Sequence, residues 1–412
     1  MSNIQLQVKF LPNVNKLTIA SYINNDNAVS LQKIFLLLVN KKIGILGGGQ
    51  LGRMLIQQGL NYGMQAYVLD RDETSPCSDI CIAYTKGSIQ SEEDVFEFGK
   101  NLDALIIEIE HVNVKALEQL EQLGKIVIPS SKALSIIKNK TLQKQFYKEK
   151  GIPTADFRLI PKKEELGQHI DFLPAFLKLN EFGYDGKGVM PVATERDFLN
   201  AFERPSVLEK HVDFEKEISV IVVRNTEGQM VAYPVVECVF NPVYNLVDYL
   251  ISPARISDEL QVKAQQIAMQ VVAGLDSQGI FAVEMFLLQD NSILVNETAP
   301  RAHNSGHQTI EGNFSSQFDQ QVRLLLGLPF GSTALKSMSL MINLVGESGY
   351  YGLAKYEGLE EVMQLEGIFL HLYDKAETRP GRKMGHITIV GEDYNHLIEK
   401  ANFIRQHLKI KA

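Results

Sequence analysis

Glu284 and Glu297 lie in two apolar runs, 281–288 and 292–298, that flank a polar turn. Two such runs around a short turn predict a β-hairpin. If 290–291 is a two-residue turn, Glu284 faces Glu297 and their Cβ atoms are about 4.5–5.5 Å apart. Carboxylates this close repel unless a cation lies between them or one of them stays protonated. Because Mg²⁺ prefers oxygen ligands, the pair predicts a magnesium site.

The alternative is a pair of exposed acids at a hairpin edge, since acidic side chains are mostly exposed. Both acids share a face with apolar neighbours, which favours the magnesium site. These neighbours are Ala282, Phe286, Val295 and Ala299. Four groups suited to binding an anion follow directly: Arg301, His303, Asn304 and His307. Carboxylates that hold a metal beside groups that hold an anion indicate phosphoryl transfer.

A glycine-rich turn follows the first predicted strand, 43–46. Residues 47–52 have the pattern G-x-G-x-x-G, a helix is predicted over 53–60, and the next strand, 66–70, ends in an acid. This arrangement is typical of dinucleotide-binding folds and would by itself predict a dehydrogenase. Its physical basis is that glycines allow the backbone to approach a phosphate at a helix N-terminus, whichever phosphate that is. A tight turn without a ligand is the alternative.

Two acids end a further predicted strand, 105–110. Glu108 and Glu110 would lie on one face of that strand, and ligands of doubly wound sheets bind outside such strand ends. The two carboxylates could hold ribose hydroxyls or an amine. A solvated strand end fits equally well, because acids are mostly exposed. The strand 126–129 closes this first domain.

Three lysines stand out in the middle of the chain. Lys140 and Lys144 lie on one face of a predicted helix, 131–150, for which a solvated basic face is the default interpretation. Lys178 is embedded in an apolar strand, 175–179, and there it needs an anionic partner.

Two further segments suit a nucleotide. The glycine-rich segment 182–189 predicts a mobile hairpin loop from which Lys187 could reach a phosphate. The strand 207–212, followed by Glu217, could offer backbone groups to an adenine and an acid to a ribose. Near the C-terminus, the basic residues of 379–386 form a candidate anion site together with Lys375, or else a basic turn at the surface.

Composition limits the possible classes. A chain of 412 residues predicts two or three domains. A net charge of −8 argues against a nucleic-acid-binding surface, and no apolar run is long enough to span a membrane. The three cysteines do not form a zinc-type set, which favours a reducing, cytoplasmic location. The Asn-rich segment 1–40 is predicted to lie outside the main fold, with a misassigned start or a docked strand or helix as alternatives.

From Lys41 onward, the chain resembles the ATP-grasp superfamily and, within it, the N5-carboxyaminoimidazole ribonucleotide synthase family. The matching stretches occur in the family's order. They are GGGQLGRM, KQFYKEKGIPTA, GYDGKG, EKHVDFEKEISV, AVEMF, VNETAPRAHNSGHQT, SSQF and RPGRKMGH. The resemblance implies an α/β protein with a Rossmann-like N-terminal domain, ATP-grasp domains and a small β-rich C-terminal domain.

The implied limits are 41–132 for the Rossmann-like substrate domain, 133–331 for the ATP-grasp region and 332–412 for the C-terminal domain. Within the ATP-grasp region, the central lid covers about 151–212 and the metal-bearing part about 213–331. The implied reaction uses ATP to phosphorylate bicarbonate to carboxyphosphate, which carboxylates the amine of 5-aminoimidazole ribonucleotide. A homodimer with ATP and Mg²⁺ as cofactors is also implied.

The resemblance also assigns site residues. The nucleotide contacts fall on Lys140, Lys178, Gly183, Tyr184, Asp185, Gly186, Lys187, Gly188, Val189, Glu209, Lys210, His211, Val212, Glu217, Phe240, Asn296 and Glu297. The substrate contacts fall on Gly49, Gln50, Leu51, Glu108, Glu110, Asn304, Lys375 and Arg382. The groups nearest the chemistry are Tyr184, Asp185, Lys187, Arg301 and His303, and the Mg²⁺ ligands are Glu284 and Glu297.

Four positions depart from the family pattern. Lys140 stands where many relatives have Arg, which keeps the charge but removes the bidentate fork. Phe182 replaces a Gly before the mobile loop and should stiffen it. Phe240 and Cys238 stand where relatives often have His and Asn, so these nucleotide contacts should differ.

Three other functions compete with this one. Another ATP-grasp enzyme, such as a formate-using glycinamide ribonucleotide enzyme or a biotin carboxylase, is disfavoured by the basic RPGRK cluster. A dehydrogenase leaves Glu284, Glu297 and the loop 182–189 without a role. An inactive scaffold of the same fold would not need Lys178 and Asp185.

Overall fold

The structure is a computed structural model that describes residues 41–181, 183, 188–241 and 246–412. The interpretations of segment 1–40, of Phe182 and of Tyr184, Asp185, Gly186 and Lys187 therefore lie outside the described residues. The strands are β1 (Lys42–Leu46), β2 (Gln65–Asp70), β3 (Ala83–Lys86), β4 (Ala104–Ile107), β5 (Ile126–Ile128), β6 (Phe157–Ile160), β7 (Ala175–Leu179), β8 (Val189–Val192), β9 (Ser206–Lys210), β10 (Lys216–Arg224), β11 (Met230–Ala232), β12 (Val236–Asn241), β13 (Leu246–Ser252), β14 (Gly279–Leu287), β15 (Ile293–Ala299), β16 (Met338–Val345), β17 (Gly352–Leu353), β18 (Lys355–Glu357), β19 (Ile368–Leu372), β20 (Glu377–Thr378), β21 (Lys383–Gly391) and β22 (Lys409–Lys411).

Helices connect and cover these strands. They are α1 (Gln50–Leu60), α2 (Glu92–Gly99), α3 (Val114–Gln122), α4 (Ser131–Lys138), α5 (Lys140–Glu149), α6 (Asp258–Leu275), α7 (Thr309–Gly312), α8 (Gln317–Leu326), α9 (Leu359–Val362) and α10 (Tyr394–His407). Segments of 3-10 helix cover Lys163–Phe172, Glu195–Asn200 and Asn304–Gly306.

The N-terminal sheet is parallel, and its described strands have the order β3-β2-β1-β4-β5. Alternate residues of its strands face opposite sides, as the period of two requires. Ile43 and Ile45 join one apolar cluster and Leu46 joins another. The sheet is therefore covered on both faces, which confirms the α/β class predicted from the βαβ start.

Sequence reasoning misplaced three boundaries in this half. Helix α1 begins at Gln50, within the glycine turn, and not at residue 53. Strand β4 ends at Ile107, so the two acids of 105–110 lie in the loop beyond it. The predicted helix 131–150 is two helices. Asn139 between them has an extended backbone (φ −114°, ψ 112°), and its side chain accepts the Leu142 N–H as an N-cap.

Most of the remaining strands form two antiparallel sheets, and β17 with β20 and β18 with β22 form two small pairs. Strands β6-β9-β7-β8 make a four-stranded sheet, and β15-β14-β10-β12-β13-β16-β21-β19, with β11 beside β10, make a nine-stranded one within the described residues. The larger sheet carries the predicted hairpin, β14 and β15, at one edge and reaches into the C-terminal part. That part was predicted to hold short strands and turns, yet it also contains α10, a helix of 14 residues.

Candidate active site

The hairpin places Glu284 directly opposite Glu297, as predicted. The turn, however, is longer than predicted. Leu288 N–H donates to the Ser292 carbonyl at 2.9 Å, so three residues close the loop, and Asn291 takes a left-handed conformation (φ 63°). A three-residue loop alone would set Asn296 opposite Glu284.

A β-bulge restores the predicted pairing. The register shifts between Glu284 and Met285, because Met285 pairs with Val295 and Asn296 is left as an extra residue. Bulges re-aim neighbouring side chains and occur beside active sites. Here the bulge allows Asn296 and Glu297, consecutive in sequence, both to contact lysines of the same site.

These lysines form a closed polar network with the hairpin. Lys140 Nζ lies 2.6 Å from Glu297 Oε2. Lys178 Nζ lies 3.0 Å from Glu209 Oε2 and 2.9 Å from Asn296 Oδ1. The anionic partner that Lys178 was expected to need is therefore Glu209.

Lys144 completes the network from the opposite side. Its buried Nζ lies 3.0 Å from Glu209 Oε2 and donates to Thr154 Oγ1 and to the Asn296 carbonyl at 2.9 and 3.0 Å. The default interpretation of a solvated basic face was therefore wrong for this lysine. Burial lowers its pKa to about 8 against the opposing effect of Glu209. Burial alone would raise the pKa of Glu209, but Lys144 and Lys178 together lower it.

The two facing carboxylates differ in their electrostatics. The Lys140 ammonium holds the pKa of Glu297 below its usual range. Burial, and then the charges of Glu297 and Glu217, raise the pKa of Glu284 well above its usual range. This is the behaviour expected of two neighbouring acids when the nearest cation pairs with only one of them.

Mg²⁺ fits this donor set. The part of the chain that the structure describes has no cluster of three or more His, Cys, Asp or Glu side chains arranged to hold an ion. Mg²⁺ in nucleotide sites needs only one or two carboxylates, because phosphates and water supply its other ligands. Glu284 and Glu297 provide two, and the Lys140 ammonium already shows that the pair attracts a cation.

The anion-binding segment follows the hairpin directly. His303 Nε2 lies 3.4 Å from Glu284 Oε1, and Arg301 Nε lies 2.8 Å from Glu110 Oε1. Burial raises the pKa of both Glu284 and Glu108, and the Arg301 charge opposes this rise. This segment therefore connects the carboxylate pair to the acids that follow strand β4.

The glycine turn is closed by carboxylates of its own domain. Glu108 Oε1 accepts the N–H of Leu51 at 3.1 Å, and Asp70 Oδ2 accepts the N–H of Gly48 at 2.6 Å. Burial raises the pKa of Glu108 to about 7. A Cβ on Gly49 would collide with the Glu108 carboxylate. Asp70, the acid that ends the second strand of the dinucleotide-type pattern, is thus engaged by the turn itself.

The basic cluster near the C-terminus folds back onto this turn. Lys375 Nζ donates to Gln50 Oε1 at 3.0 Å and to the Lys383 carbonyl at 2.8 Å. Burial, and then the nearby Arg382, lower the pKa of Lys375 to about 8. Arg382 donates to the Glu377 carbonyl at 2.7 Å. Two segments predicted to bind anions, far apart in sequence, are therefore in contact.

Other residues predicted to contact the nucleotide lie at the base of the glycine-rich loop and at the end of β9. Gly183 and Gly188 meet closely at the base of the loop, where the Leu179 N–H donates to the Gly188 carbonyl at 2.8 Å, and Val189 begins β8. Lys210 turns its amine to the carbonyls of Phe172 and Leu173.

The strand 207–212 was predicted to offer backbone groups to an adenine. Some of these backbone groups already form hydrogen bonds within the protein. His211 stacks on Phe176, and the N–H groups of Lys210 and His211 donate to protein carbonyls. Val212 is half-buried in the segment that follows, and Phe240 lies on β12 beside Val247.

Sequence reasoning missed Lys144 as a site residue and gave no role to Arg53 or Gln317. Arg53 joins the glycine turn to the C-terminal cluster, since its Nη1 lies 2.9 Å from Asp374 and 2.7 Å from the Pro76 carbonyl. The spacing of four between Lys140 and Lys144 was the available signal for Lys144. Arg53 lies in the matching stretch GGGQLGRM and Gln317 in SSQF, but the sequence alone assigned neither of them a role.

Family models match most of the described chain. A ribonucleotide synthetase preATP-grasp domain matches residues 40–138, an ATP-grasp domain matches 145–318, and a phosphoribosylaminoimidazole carboxylase C-terminal domain matches 339–400. No helix in the described ranges has both the length and the apolar character needed to cross a membrane.

Sequence comparison with individual proteins agrees with the family models. The chain is 35% identical to the N5-carboxyaminoimidazole ribonucleotide synthase of Aquifex aeolicus, over 89% of this chain and 97% of that protein. It is 36% identical to the chloroplastic phosphoribosylaminoimidazole carboxylase of Vigna aconitifolia, over 86% of this chain but 65% of the longer protein. The chain thus spans about two thirds of that relative.

Solved structures extend the similarity to three dimensions. The N5-carboxyaminoimidazole ribonucleotide synthetase of Thermotoga maritima is 40% identical, with a TM-score of 0.83 over 90% of this chain and 99% of that one. The Aspergillus clavatus synthase, solved with ADP and 5-aminoimidazole ribonucleotide, is 34% identical, with a TM-score of 0.80 over 89% of this chain and 100% of that one. The chain therefore belongs to the N5-carboxyaminoimidazole ribonucleotide synthase family of ATP-grasp proteins.

Proposed function

We propose that the chain catalyses the ATP-dependent carboxylation of 5-aminoimidazole ribonucleotide. In the first step, a bicarbonate oxygen attacks the γ-phosphorus of ATP, and ADP leaves with carboxyphosphate as the product. In the second step, the amine of the ribonucleotide attacks the carbonyl carbon of carboxyphosphate. The carbon–oxygen bond to phosphate breaks, and phosphate leaves with N5-carboxyaminoimidazole ribonucleotide as the product.

The arrangement of Arg301 and His303 is the observation that supports this proposal most directly. His303 faces the carboxylate pair, whereas Arg301 faces the acids beside the glycine turn. A reaction that passes an anionic intermediate from a nucleotide site to a ribonucleotide site requires cationic groups between the two sites. In this protein the connecting groups come from one short segment.

The nucleotide half of the site follows from the lysine network. Lys140 and Lys178 would neutralise phosphate charge, and Glu209, Glu217 and Asn296 would position these lysines and the ribose. Glu284 and Glu297 would hold Mg²⁺, which supplies charge neutralisation on the transferred phosphoryl group. Lys140 would then leave Glu297 for a phosphate.

The ribonucleotide half follows from the glycine turn and the C-terminal cluster. Gly49, Gln50 and Leu51 would meet the ribonucleotide, and Lys375 and Arg382 would bind its phosphate. Support comes from the contact between Lys375 and Gln50, which joins the two segments. Glu108, Glu110 and Asn304 would bind its hydroxyls and amine.

The loop from Gly183 to Val189 would close over the intermediate. Carboxyphosphate hydrolyses readily, so a closing loop that excludes water has a chemical purpose. On the family resemblance, Tyr184 would lie beside the imidazole, Asp185 would act as a base, and Lys187 would bind phosphate. The narrow base of the loop, where Gly183 approaches Gly188, is consistent with a hinge.

The organisation of the chain is part of the same proposal. We assign residues 41–132, 133–331 and 332–412 to the three domains, and we expect a homodimer in the cytoplasm. The free state of Cys77, Cys81 and Cys238 is consistent with a reducing compartment. Light scattering on the purified protein would test the dimer.

The test of the reaction is ADP release with Mg²⁺, ATP and bicarbonate, measured with and without 5-aminoimidazole ribonucleotide. We expect strong stimulation by this ribonucleotide and none by glycinamide ribonucleotide. ATP turnover that responds to neither ribonucleotide would contradict the assigned acceptor. Binding of NADH in place of Mg-ATP would contradict the reaction class.

A further inference from the structure

Gln317, the first residue of α8, is fully buried. Its Oε1 accepts the backbone N–H of His303 at 2.9 Å, and its Nε2 donates to the carbonyl of the same residue at 2.9 Å. The same Nε2 lies 2.9 Å from His307 Nδ1. One side-chain amide therefore holds both backbone polar groups of His303 and the far end of the segment that follows it.

The segment between these two histidines is packed onto the amide. A Cβ on Gly306 would collide with the Gln317 side chain. Thr309 Oγ1 accepts the backbone N–H of Gln317 at 2.9 Å and donates to the Gly306 carbonyl at 2.5 Å. The side chain and the backbone of Gln317 thus both hold the segment 303–309 in place.

The His303 imidazole is oriented by this segment. Its Nδ1 lies 3.3 Å from the backbone N–H of Ser305 and 2.9 Å from the Ser305 hydroxyl, which lies 2.8 Å from the Ser219 hydroxyl. A backbone N–H can only donate, so Nδ1 accepts and the neutral ring carries its proton on Nε2. That Nε2 faces Glu284 at 3.4 Å.

We propose that Gln317 is a positioning residue, whose amide sets the location of the His303 imidazole relative to Glu284 and so the placement of the anionic intermediate. This role rests on the proposed carboxylation. It assigns a function to a side chain that touches neither the carboxylate pair nor the substrate groups. A misplacement of about 1 Å can cost about a hundredfold in rate, so hydrogen bonds behind the site can matter as much as those within it.

Gln320 provides a matched control on the same helix. It is also fully buried, and its amide also holds one residue by both backbone groups. Its Nε2 donates to the Gly331 carbonyl at 2.8 Å, and its Oε1 accepts the Gly331 N–H at 3.1 Å. A Cβ on Gly331 would meet Ser315 and Arg323, which are not part of the carboxylate pair. Gln317→Met and Gln320→Met therefore each remove two hydrogen bonds to the backbone of one residue from a fully buried side chain. Gln317→Met also removes the contact with His307.

We expect Gln317→Met to lower kcat by about tenfold or more while the KM for ATP changes by less than about twofold. Gln320→Met should keep kcat within about twofold of the wild type. Histidine-labelled protein gives a readout independent of turnover, with the His303 ring assigned from a His303→Gln sample. Its ring ¹⁵N signals should shift in Gln317→Met and not in Gln320→Met.

A second substitution, Gln317→Glu, tests the positioning role of Gln317 if Gln317→Met does not fold. A carboxylate can accept the His303 N–H but cannot donate to His307 Nδ1. The His307 proton should therefore move from Nε2 to Nδ1, which ¹⁵N shifts report, and kcat should fall. Wild-type kcat with unchanged His303 signals in the folded variants would overturn the role of Gln317, as would equal losses in Gln317→Met and Gln320→Met. A wild type without ribonucleotide-stimulated turnover would contradict the proposed function, and the ring signals would still decide the positioning.

Discussion

Single lysines and carboxylates decide what this site can bind. Lys140 pairs with Glu297, whereas Lys178 and Lys144 share Glu209. Of these pairs, the first links a lysine to a carboxylate that we propose as a Mg²⁺ ligand, and Glu297 remains partly exposed, at 43%. Exposed ion pairs are weak and exchange easily. Arrival of Mg-ATP can therefore exchange Lys140 for the metal at Glu297 at low energetic cost.

The substitution Glu297→Gln tests this exchange. The amide keeps the shape but removes the charge that holds the metal, so we expect Mg-dependent ATP turnover to fall by about a hundredfold or more. Ribonucleotide binding, measured by calorimetry, should change little because the carboxylate acts on the metal. Asp290→Asn, at the turn of the same hairpin, is the control and should keep its activity. Loss of both turnover and ribonucleotide binding would show that these roles are misassigned.

Residue types indicated most members of the proposed site, but not the burial of Lys144. Its position four residues after Lys140 predicts a shared helix face, yet the same pattern describes a solvated one. The ammonium is buried because Thr154, Glu209 and Asn296 converge on it from three separate segments. No local pattern contains that information.

At the scale of elements, the hairpin has the predicted pairing of Glu284 with Glu297, although its turn differs from the predicted one. The loop is one residue longer than predicted, and the bulge at Asn296 adds one residue on β15. The two offsets cancel, so Glu284 still faces Glu297. Alternation of apolar residues predicts strands well, but bulges depend on contacts with other segments, in this case Lys178 and Lys144.

The glycine turn supports a second prediction. A Cβ on Gly49 would collide with Glu108, which accepts the Leu51 N–H at the start of α1. We expect Gly49→Ala to raise the KM for the ribonucleotide by about tenfold, equivalent to about 1.4 kcal/mol of binding, with the KM for ATP unchanged. Gly167→Ala is the control, because no atom lies within 4 Å of a Cβ there. Equal kinetics in both variants would argue against a substrate role for the turn.

At the scale of the molecule, the site lies where three parts of the chain meet. The nine-stranded sheet carries the carboxylate pair at one edge and extends into the C-terminal part. Two buried histidines, His307 and His386, and the half-buried His371 line this junction. The ring of His386 lies 4.8 Å from that of His307 and 4.4 Å from that of His371, measured between centroids. The βαβ start and the hairpin were predictable from the sequence, but this junction was not, because it depends on contacts between distant segments.

The histidine cluster predicts a pH-dependent stability. Burial, and then the neighbouring histidines, lower the pKa of His386 well below its usual range. The native state therefore keeps the ring neutral, while the unfolded chain takes up a proton near pH 6.5. The stabilisation that results is present above pH 6.5 and is lost as the pH falls below it. Glu108, with its raised pKa of about 7, acts in the opposite direction, so the contribution of His386 must be isolated by substitution.

We expect the wild type to lose about 1 kcal/mol more stability than His386→Gln when the pH falls from 7.5 to 5.5. Melting temperatures at the two pH values would show this as a smaller drop in the variant. His396→Gln, at an exposed position of α10, should follow the wild type. An equal drop in all three proteins would contradict a neutral, buried His386.

The most direct measurement of the central claim follows oxygen from bicarbonate. With ¹⁸O-labelled bicarbonate, Mg-ATP and 5-aminoimidazole ribonucleotide, the account predicts one ¹⁸O atom in each phosphate released, because carboxyphosphate carries a bicarbonate oxygen to phosphorus. The label should enter phosphate in step with ADP release. Phosphate without label, formed at the same rate, would mean that water attacks ATP, and it would contradict the transfer of the phosphoryl group to bicarbonate.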